Sequence, residues 1–251
     1  MGTETTGMRR LISTWIALAA LGLATGTAYA QAWKEGTNYF AVNPPQPTTV
    51  PAGKVEVMEV FSYACPACNA FQPIMKQLKA ALPANAQVVY LPAAFRPDED
   101  WPMFQRAFFA ANALGIAAKT HDAMFNAVWN TGELATLNQQ TNRLRDPLPS
   151  IEDAARFYAR VAGVKPADFL AAAKSFGVDA KMRMADAQIG AMQALSTPTI
   201  IVNGKYRLQM QDAGGASQLV ELVKYLVAKE SGSTRTAATK PTGTAAARKT
   251  N

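Results

Sequence analysis

The sequence predicts an α/β fold in which an all-helical block separates the two parts of one strand and helix unit. Short apolar, β-branched runs typical of buried strands occupy residues 55–61 and 88–91. Apolar residues then recur with a helical period of about 3.6 from residue 101 to 195. Strand character returns at residues 199–202, followed by the turn dipeptide Asn203-Gly204. The predicted parts are residues 31–97, the helical block 98–195, and residues 196–229.

The composition is that of a globular protein with few crosslinks. The 251 residues are 49% hydrophobic and 17% charged, which provides a real core and excludes disorder for most of the chain. Only Cys65 and Cys68 are present as cysteines, which excludes a disulfide framework and a four-cysteine zinc site. Of the net charge of +7, residues 229–251 carry +4 and residues 1–30 carry +1, which leaves +2 for the centre of the chain. The nearly neutral centre has no basic stripe for nucleic acid, and we exclude that partner.

The first 30 residues have the order of a secretory signal peptide. Arg9 and Arg10 precede an uncharged apolar run at residues 11–23, and small residues follow as far as Ala30. A helix of that run rises only about 20 Å, against a hydrocarbon core of roughly 30 Å. We expect cleavage after Ala30 and export to the periplasm, with an uncleaved membrane anchor as the alternative.

The first part of the α/β unit, residues 31–97, begins with a proline-rich stretch at residues 43–51 that favours an extended conformation. After the first strand, residues 62–65 lead directly into an amphipathic helix. Pro73 lies inside that helix and is expected to kink it.

The helical block contains its own start and stop signals. Ser150 with Asp153 three residues later resembles a capping box. Pro166 predicts the beginning of a helix, and Gly177 predicts the end of one.

The C-terminal part is predicted as a hairpin and a helix. The second hairpin strand covers residues 206–210, and Ser217 opens the last amphipathic helix. Residues 230–251 lack apolar periodicity and are predicted to be a disordered basic tail. Contact of this tail with an anionic membrane is the alternative to a solvated extension.

The motif Cys65-Pro66-Ala67-Cys68 lies where a buried strand passes into a helix. The free N–H groups and the positive dipole end of a helix N-terminus stabilise an anion, so Cys65 should ionise below its usual pKa. Cys68, one turn further along, is the resolving partner, and Pro66 is tolerated at the first helical position. A stabilised thiolate makes the disulfide a good oxidant. The chemistry then needs no cofactor beyond the redox-active pair.

Other interpretations of these residues remain. The pair could form an inert bridge, although so small a ring stabilises little. It could bind a metal together with His121, although we interpret this single histidine as a surface or capping residue. No glycine-rich phosphate loop, metalloprotease motif or serine triad is present, so hydrolase and nucleotide-dependent functions are not predicted.

Two motifs resemble the DsbA family of secreted thiol oxidases in the thioredoxin superfamily. The pattern E-x-F-S-x-x-C-P-x-C matches Glu59 through Cys68. Thr197-Pro198, followed by a strand and the turn at residues 203–206, resembles the family's cis-proline loop and hairpin. The resemblance covers about residues 32–228 and implies a thioredoxin fold interrupted by an inserted helical domain.

The resemblance also implies roles for individual residues. A cis peptide bond before Pro198 should face the cysteines, and the backbone of Thr197 should pair with an extended substrate peptide, which also meets Pro66 and Ala67. Glu59 should be buried and should handle protons near Cys68. The implied partners are unfolded exported proteins and a membrane quinone-linked oxidase of the DsbB type, and the protein is expected to be a monomer.

Two departures from the family pattern bear on oxidising strength. Ala67 stands where the best-known oxidases carry histidine, which removes a donor or charge beside the thiolate. Tyr90 aligns with the lysine that partners the buried acid. A periplasmic reductase or isomerase with the same active site is therefore the alternative enzyme, and Thr197 resembles isomerase-type members. A binding protein or chaperone without turnover is a further alternative.

Overall fold

The structure, a computed structural model, describes residues 33–138 and 140–238. The predicted signal peptide and residues 239–251 of the predicted tail lie outside the described residues. The elements are β1 (Phe40–Ala41), β2 (Val55–Phe61), α1 (Pro66–Ala81), β3 (Ala86–Pro92), α2 (Trp101–Ala113), α3 (Ala117–Trp129), α4 (Ile151–Ala162), α5 (Pro166–Ala173), α6 (Phe176–Ala191), β4 (Thr199–Val202), β5 (Tyr206–Leu208), α7 (Met210–Ala213) and α8 (Ala216–Ala238). No helix in these ranges is both long and apolar enough to cross a membrane.

Within the described residues, the strands form one five-stranded sheet in the order β1-β5-β4-β2-β3. β2 pairs in parallel with β3 and antiparallel with β4, so it has a neighbour on each side. All seven residues of β2 are buried, which explains the nearly continuous apolar run in the sequence. The strand that leads to Cys65 is therefore paired with a strand along each edge and buried on both of its faces.

Helices cover both faces of the sheet. On one face, Val57 of β2 packs in a core with Leu78 of α1 and Leu222 of α8. On the other face, Met58 and Val60 belong to a second core that includes buried residues of α2 to α6. Neighbouring strand residues point to opposite faces, so β2 contributes to both cores. The helical block shares its core with the sheet instead of building one of its own.

Helices α2 to α6 lie within the range 101–195 predicted to be helical, but the prediction is wrong for residues 130–150, which form no helix where the structure describes them. The Ser150 hydroxyl accepts a hydrogen bond from the Asp153 N–H at 3.2 Å, and the Asp153 carboxylate accepts one from the Ser150 N–H at 2.8 Å, which confirms the capping box. Pro166 is the first residue of α5, as predicted. The prediction for Gly177 is wrong, since it lies in the first turn of α6. There the Ser175 hydroxyl caps the helix, and this cap starts α6 where the glycine suggested an end.

The last helix is longer than predicted. α8 continues to Ala238, so the predicted start of disorder at residue 230 is wrong. Glu230 is only 2% exposed, and its carboxylate accepts hydrogen bonds from Asn203, Lys205 and Tyr206 of the β4–β5 hairpin. These polar contacts stabilise the helical turn at Glu230. The turn has no apolar stripe, so hydrophobic periodicity did not predict it.

Smaller differences concern edges and turns. β1 was not predicted; it pairs with β5. The second hairpin strand was predicted over residues 206–210, but β5 ends at Leu208 and α7 begins at Met210. Pro73 lies within α1, which is helical on both sides of it.

Candidate active site

Cys65 is fixed at the point where β2 gives way to α1. It is the N-cap of α1, with an extended backbone (φ −85°, ψ 117°), and its Sγ accepts a hydrogen bond from the Cys68 N–H at 3.2 Å. Pro66 follows at the start of the helix, where no intrahelical N–H bond is lost. The Cys65 N–H donates to the Ser62 carbonyl at 3.2 Å. The thiol therefore lies at the free N–H groups of the first helical turn, where the sequence places it.

Thr197 and Pro198 lie beside Cys65. The peptide bond between them is cis, as expected, and β4 follows it immediately. Antiparallel pairing of Thr199 with Val60 of β2 brings this loop to the cysteine turn. The Cys65 Sγ lies 3.7 Å from the Thr197 carbonyl oxygen, to which the protonated thiol donates a hydrogen bond.

A cavity of about 270 Å³ opens next to the cysteine turn. Ala67 and Phe71 of α1, the Thr197-Pro198 loop and Met210 of α7 belong to its lining. Pro66 is exposed beside Ala67 but does not line the cavity. Most of the predicted substrate-binding residues are therefore gathered around one apolar depression.

The two thiols, both free in this structure, have opposite environments. A hydrogen bond with the Cys68 side chain is the main cause that lowers the pKa of Cys65 from 9.0 to about 6. Hydrogen bonds with the Thr197 side chain and with the backbone of Cys68 and Ala67 lower it further, whereas burial opposes them. Cys68 is fully buried, and burial together with the bond to Cys65 raises its pKa. At neutral pH, Cys65 is a thiolate and Cys68 keeps its proton.

Glu59 is fully buried in β2, as the family resemblance implies. Burial raises the pKa of its carboxyl from 4.5 to about 8, the Lys79 charge opposes this rise, and charge on Cys65 adds to it. Neither carboxyl oxygen has a hydrogen-bond partner among the described residues. Strand pairing places Glu59 opposite Tyr90 of β3. A carboxyl that titrates near neutral pH next to a thiol pair can carry a proton.

A buried aromatic cluster packs against the turn that carries Cys65. His121 belongs to it, so the expectation that His121 is a surface or capping residue is wrong: it is only 2% exposed. Its Nδ1 lies 3.0 Å from the Tyr63 hydroxyl, and its ring stacks on Tyr90 with centroids 4.1 Å apart. Burial lowers the pKa of His121 to about 3, so the ring is neutral. Its position one turn before Met124 and Phe125, on the apolar stripe of α3, is the sequence signal for this burial.

Within residues 33–138 and 140–238, no group of three His, Cys, Asp or Glu side chains could hold a metal ion. His121 bonds to Tyr63, and its ring contacts are aromatic. The alternative of a metal site formed by the cysteines and His121 has no support in this geometry.

The fold and this site together define a class of protein. A low-pKa thiol at a helix N-terminus, a buried partner thiol and an adjacent cis-proline loop are the working parts of a thioredoxin-superfamily thiol:disulfide oxidoreductase. The thioredoxin family model matches residues 50–222 of this chain.

Sequence similarity to known proteins identifies the family within this class. The chain is 34% identical over 225 residues to the thiol:disulfide interchange protein DsbA of Pseudomonas aeruginosa, covering 89% of this chain and 97% of that protein. It is 33% identical over 202 residues to the protein of the same name from Burkholderia cepacia, covering 80% and 87%. The chain belongs to the DsbA family. It is a thiol:disulfide oxidoreductase of the disulfide-introducing kind and acts on substrate proteins by thiol exchange.

Solved structures agree with this assignment. The crystal structure of Pseudomonas aeruginosa DsbA matches with a TM-score of 0.66 and 33% identity, covering 83% of this chain and 97% of that one. The oxidoreductase DsbA from Xylella fastidiosa matches with a TM-score of 0.67 and 29% identity, covering 78% and 97%. The thioredoxin fold with a helical insertion is thereby confirmed.

Proposed function

We propose that this protein introduces disulfide bonds into newly exported, unfolded proteins in the periplasm, with Cys65 and Cys68 as its redox-active pair. The observation that carries the proposal is the contrast between the thiols, because the pKa of Cys65 is lowered to about 6 and that of Cys68 is raised. A thiolate stabilised in the reduced enzyme makes its disulfide the stronger oxidant. Electrons pass between sulfur atoms only, so the pair is the sole redox group required.

The oxidised enzyme reacts in two exchanges. A substrate thiolate attacks Sγ of Cys65, the Cys65–Cys68 bond breaks, and Cys68 leaves as a thiolate that takes a proton from the Glu59 carboxylic acid. A second substrate thiolate then attacks the substrate sulfur of the mixed disulfide, and Cys65 leaves as a thiolate. Two electrons have passed to the enzyme, and the substrate has gained one disulfide. The low pKa of Cys65 makes it a fast leaving group in the second exchange.

The substrate peptide binds in the cavity beside the cysteine turn. Backbone groups of Thr197 pair with an extended peptide, a mode that depends little on sequence and so suits many unfolded chains. Ala67 and the ring of Pro198 supply apolar walls, and exposed Pro66 borders the path of the chain. A peptide bound in this way would present a substrate sulfur to Cys65, the thiol next to the cavity.

Return to the disulfide form requires an acceptor for two electrons. Membership of the DsbA family supports a membrane quinone-linked oxidase of the DsbB type as that acceptor, and supports a monomeric enzyme. The signal peptide predicted at residues 1–30 supports the periplasm as the compartment.

The test is the redox potential of the Cys65–Cys68 couple, measured by equilibrating the purified protein with mixtures of reduced and oxidised glutathione. A potential above about −180 mV is expected of an oxidase. A potential below about −230 mV would instead favour the reductase or isomerase, an alternative that rests on Ala67 in place of histidine and Tyr90 in place of lysine. The DsbA relatives do not favour that alternative.

A further inference from the structure

Lys79 lies in the last turn of α1, at the opposite end of that helix from the cysteines. Its side chain is exposed and forms no ion pair among the described residues. Its Nζ instead lies over the ring of Tyr90, 4.9 Å from the ring centroid. A cation in this position is attracted by the negative face of the ring, which holds it close to the sheet.

Tyr90 connects this cation to the interior of the sheet. It is the register partner of Glu59 on the neighbouring parallel strand, so both side chains point to the same face. The Tyr90 hydroxyl and both Glu59 carboxyl oxygens are buried without hydrogen-bond partners among the described residues. Glu59 thus has no local donor to stabilise its charged form, and a charge nearby must act on it through space.

The other charged and titratable groups near Glu59 do not supply that positive charge. Lys76, one turn before Lys79, pairs with Asp122 of α3 at 3.1 Å. His121 of α3 is neutral, because its pKa is lowered to about 3. The remaining titratable groups on β2, β3, α1 and the active-site turn carry no positive charge: they are Glu56, Tyr63, Cys65, Cys68 and Tyr90.

We propose that Lys79, held over the Tyr90 ring, is the cation that stabilises ionised Glu59 during thiol exchange and is thereby a positioning residue for the proton that Cys68 receives. The Lys79 charge is the one influence that lowers the pKa of Glu59 against its burial. The inference rests on the proposed function, in which Glu59 gives its proton to the Cys68 thiolate. In that step an O–H bond of Glu59 breaks and an S–H bond of Cys68 forms, which leaves a buried carboxylate facing the Lys79 charge.

The test follows the ionisation of Glu59 directly. The purified protein carries glutamate labelled with ¹³C at the side-chain carboxyl, and its NMR signals are followed against pH in the reduced form. The Glu59 signal is identified by its loss in Glu59→Gln. Lys79→Met and Lys79→Arg are compared with Lys76→Met, a matched control that removes a lysine one turn earlier on the same helix.

Lys79→Met should raise the Glu59 midpoint by roughly half a pH unit or more, because the opposing charge is lost. Lys79→Arg keeps the positive charge and should show the Glu59 midpoint of the unaltered protein. Lys76→Met should also leave that midpoint unchanged. The pH profile for reduction of the enzyme disulfide by glutathione should move in the same direction. A merely structural role of Lys79 would change stability but would not move this midpoint.

An unchanged midpoint in Lys79→Met, or equal shifts in Lys79→Met and Lys76→Met, would overturn the inference. Neither result would affect the proposed function, because the unaltered protein would still exchange disulfides with glutathione. Failure of the unaltered protein to exchange at all would remove the proposed function, whatever the NMR midpoints.

Discussion

The outer and inner halves of the active site differ sharply, although Cys65 and Cys68 belong to the same helical turn. On the outer side, the partner thiol stabilises charge on Cys65 most, and Thr197 and backbone N–H groups add to this effect. On the inner side, Cys68 is fully buried, and nearby Glu59 has no hydrogen-bond partner among the described residues. The asymmetry of the pair thus has two sources. The Cys68 thiol and the free N–H groups of the first turn of α1 reach the N-cap Cys65, and burial holds the proton on Cys68. One thiol is prepared to leave, and the other is prepared to take a proton.

The largest effect should come from exchanging either thiol for a hydroxyl. Cys65→Ser should lower the rate of disulfide transfer to a reduced, unfolded protein at least about 1000-fold, because the attacked sulfur is gone. Cys68→Ser should still react through Cys65 but stall as a mixed disulfide, visible by mass spectrometry after mixing with an oxidised peptide. Equal trapping by both variants would contradict the assignment of outer and inner roles. Retention of function by Cys65→Ser would favour a chaperone without turnover.

The variant Glu59→Gln tests the inner side of the active site. The pKa of Glu59 is raised from 4.5 to about 8 on folding, so the stability this proton provides is present below pH 4.5 and is lost as pH rises through 8. Glutamine cannot ionise, so the variant does not lose this stability. Its free energy of unfolding should rise relative to that of the reduced parent, by about 3 kcal/mol at pH 7 and about 5 kcal/mol above pH 8. Urea unfolding of both proteins across pH 4 to 9 measures this difference. A difference independent of pH would show that Glu59 ionises normally.

The outer side should show the opposite dependence. The pKa of Cys65 is lowered from 9.0 to about 6, so its contribution is fully present above pH 9 and is lost as pH falls through 6. The reduced parent should therefore gain stability relative to Cys65→Ser as pH rises, by about 1.4 kcal/mol at pH 7 and up to about 4 kcal/mol above pH 9. Comparison at the same pH keeps the effect of Glu59 in both proteins, apart from the part of its pKa rise that the Cys65 charge causes. A flat difference between pH 6 and 9 would contradict the stabilised thiolate.

The smallest effect is expected behind the turn, at Tyr63. Tyr63→Phe removes the hydroxyl that bonds to His121 and leaves a buried ring nitrogen unpaired, at a cost of about 1 to 2 kcal/mol in the free energy of unfolding. Tyr90→Phe is the matched control, since the Tyr90 hydroxyl has no hydrogen-bond partner among the described residues. Chemical unfolding at neutral pH compares them, and an equal loss in both variants would show that the bond contributes nothing.

Features of the site governed by local rules could be predicted from the sequence. The helix start at Pro66 follows from strand, proline and turn patterns, as does the hairpin after Pro198. Burial of Glu59 was implied by the family resemblance, but the residues of β2 alone also allowed a solvent-facing side chain. Its burial follows from the central place of β2 in the sheet and from the helices that cover both faces of that sheet.

The remaining features depend on distant packing that no local pattern records. His121 is buried because α3 lies against Tyr63 and Tyr90, residues 58 and 31 positions earlier in the chain. The turn of α8 at Glu230 is held by polar groups of the hairpin, 24 to 27 residues away. Contacts of this kind are set by the fold as a whole.

The most direct measurement is a titration of the reduced protein followed by the ultraviolet absorbance of the thiolate, with Cys68→Ser and Cys65→Ser in parallel. We expect the parent to show a single ionisation midpoint near pH 6, assigned to Cys65 by its loss in Cys65→Ser, with Cys68 still protonated at pH 9. A midpoint near 9, the ordinary value for Cys65, or ionisation of Cys68 ahead of Cys65 would contradict the asymmetric pair on which the proposed oxidase depends.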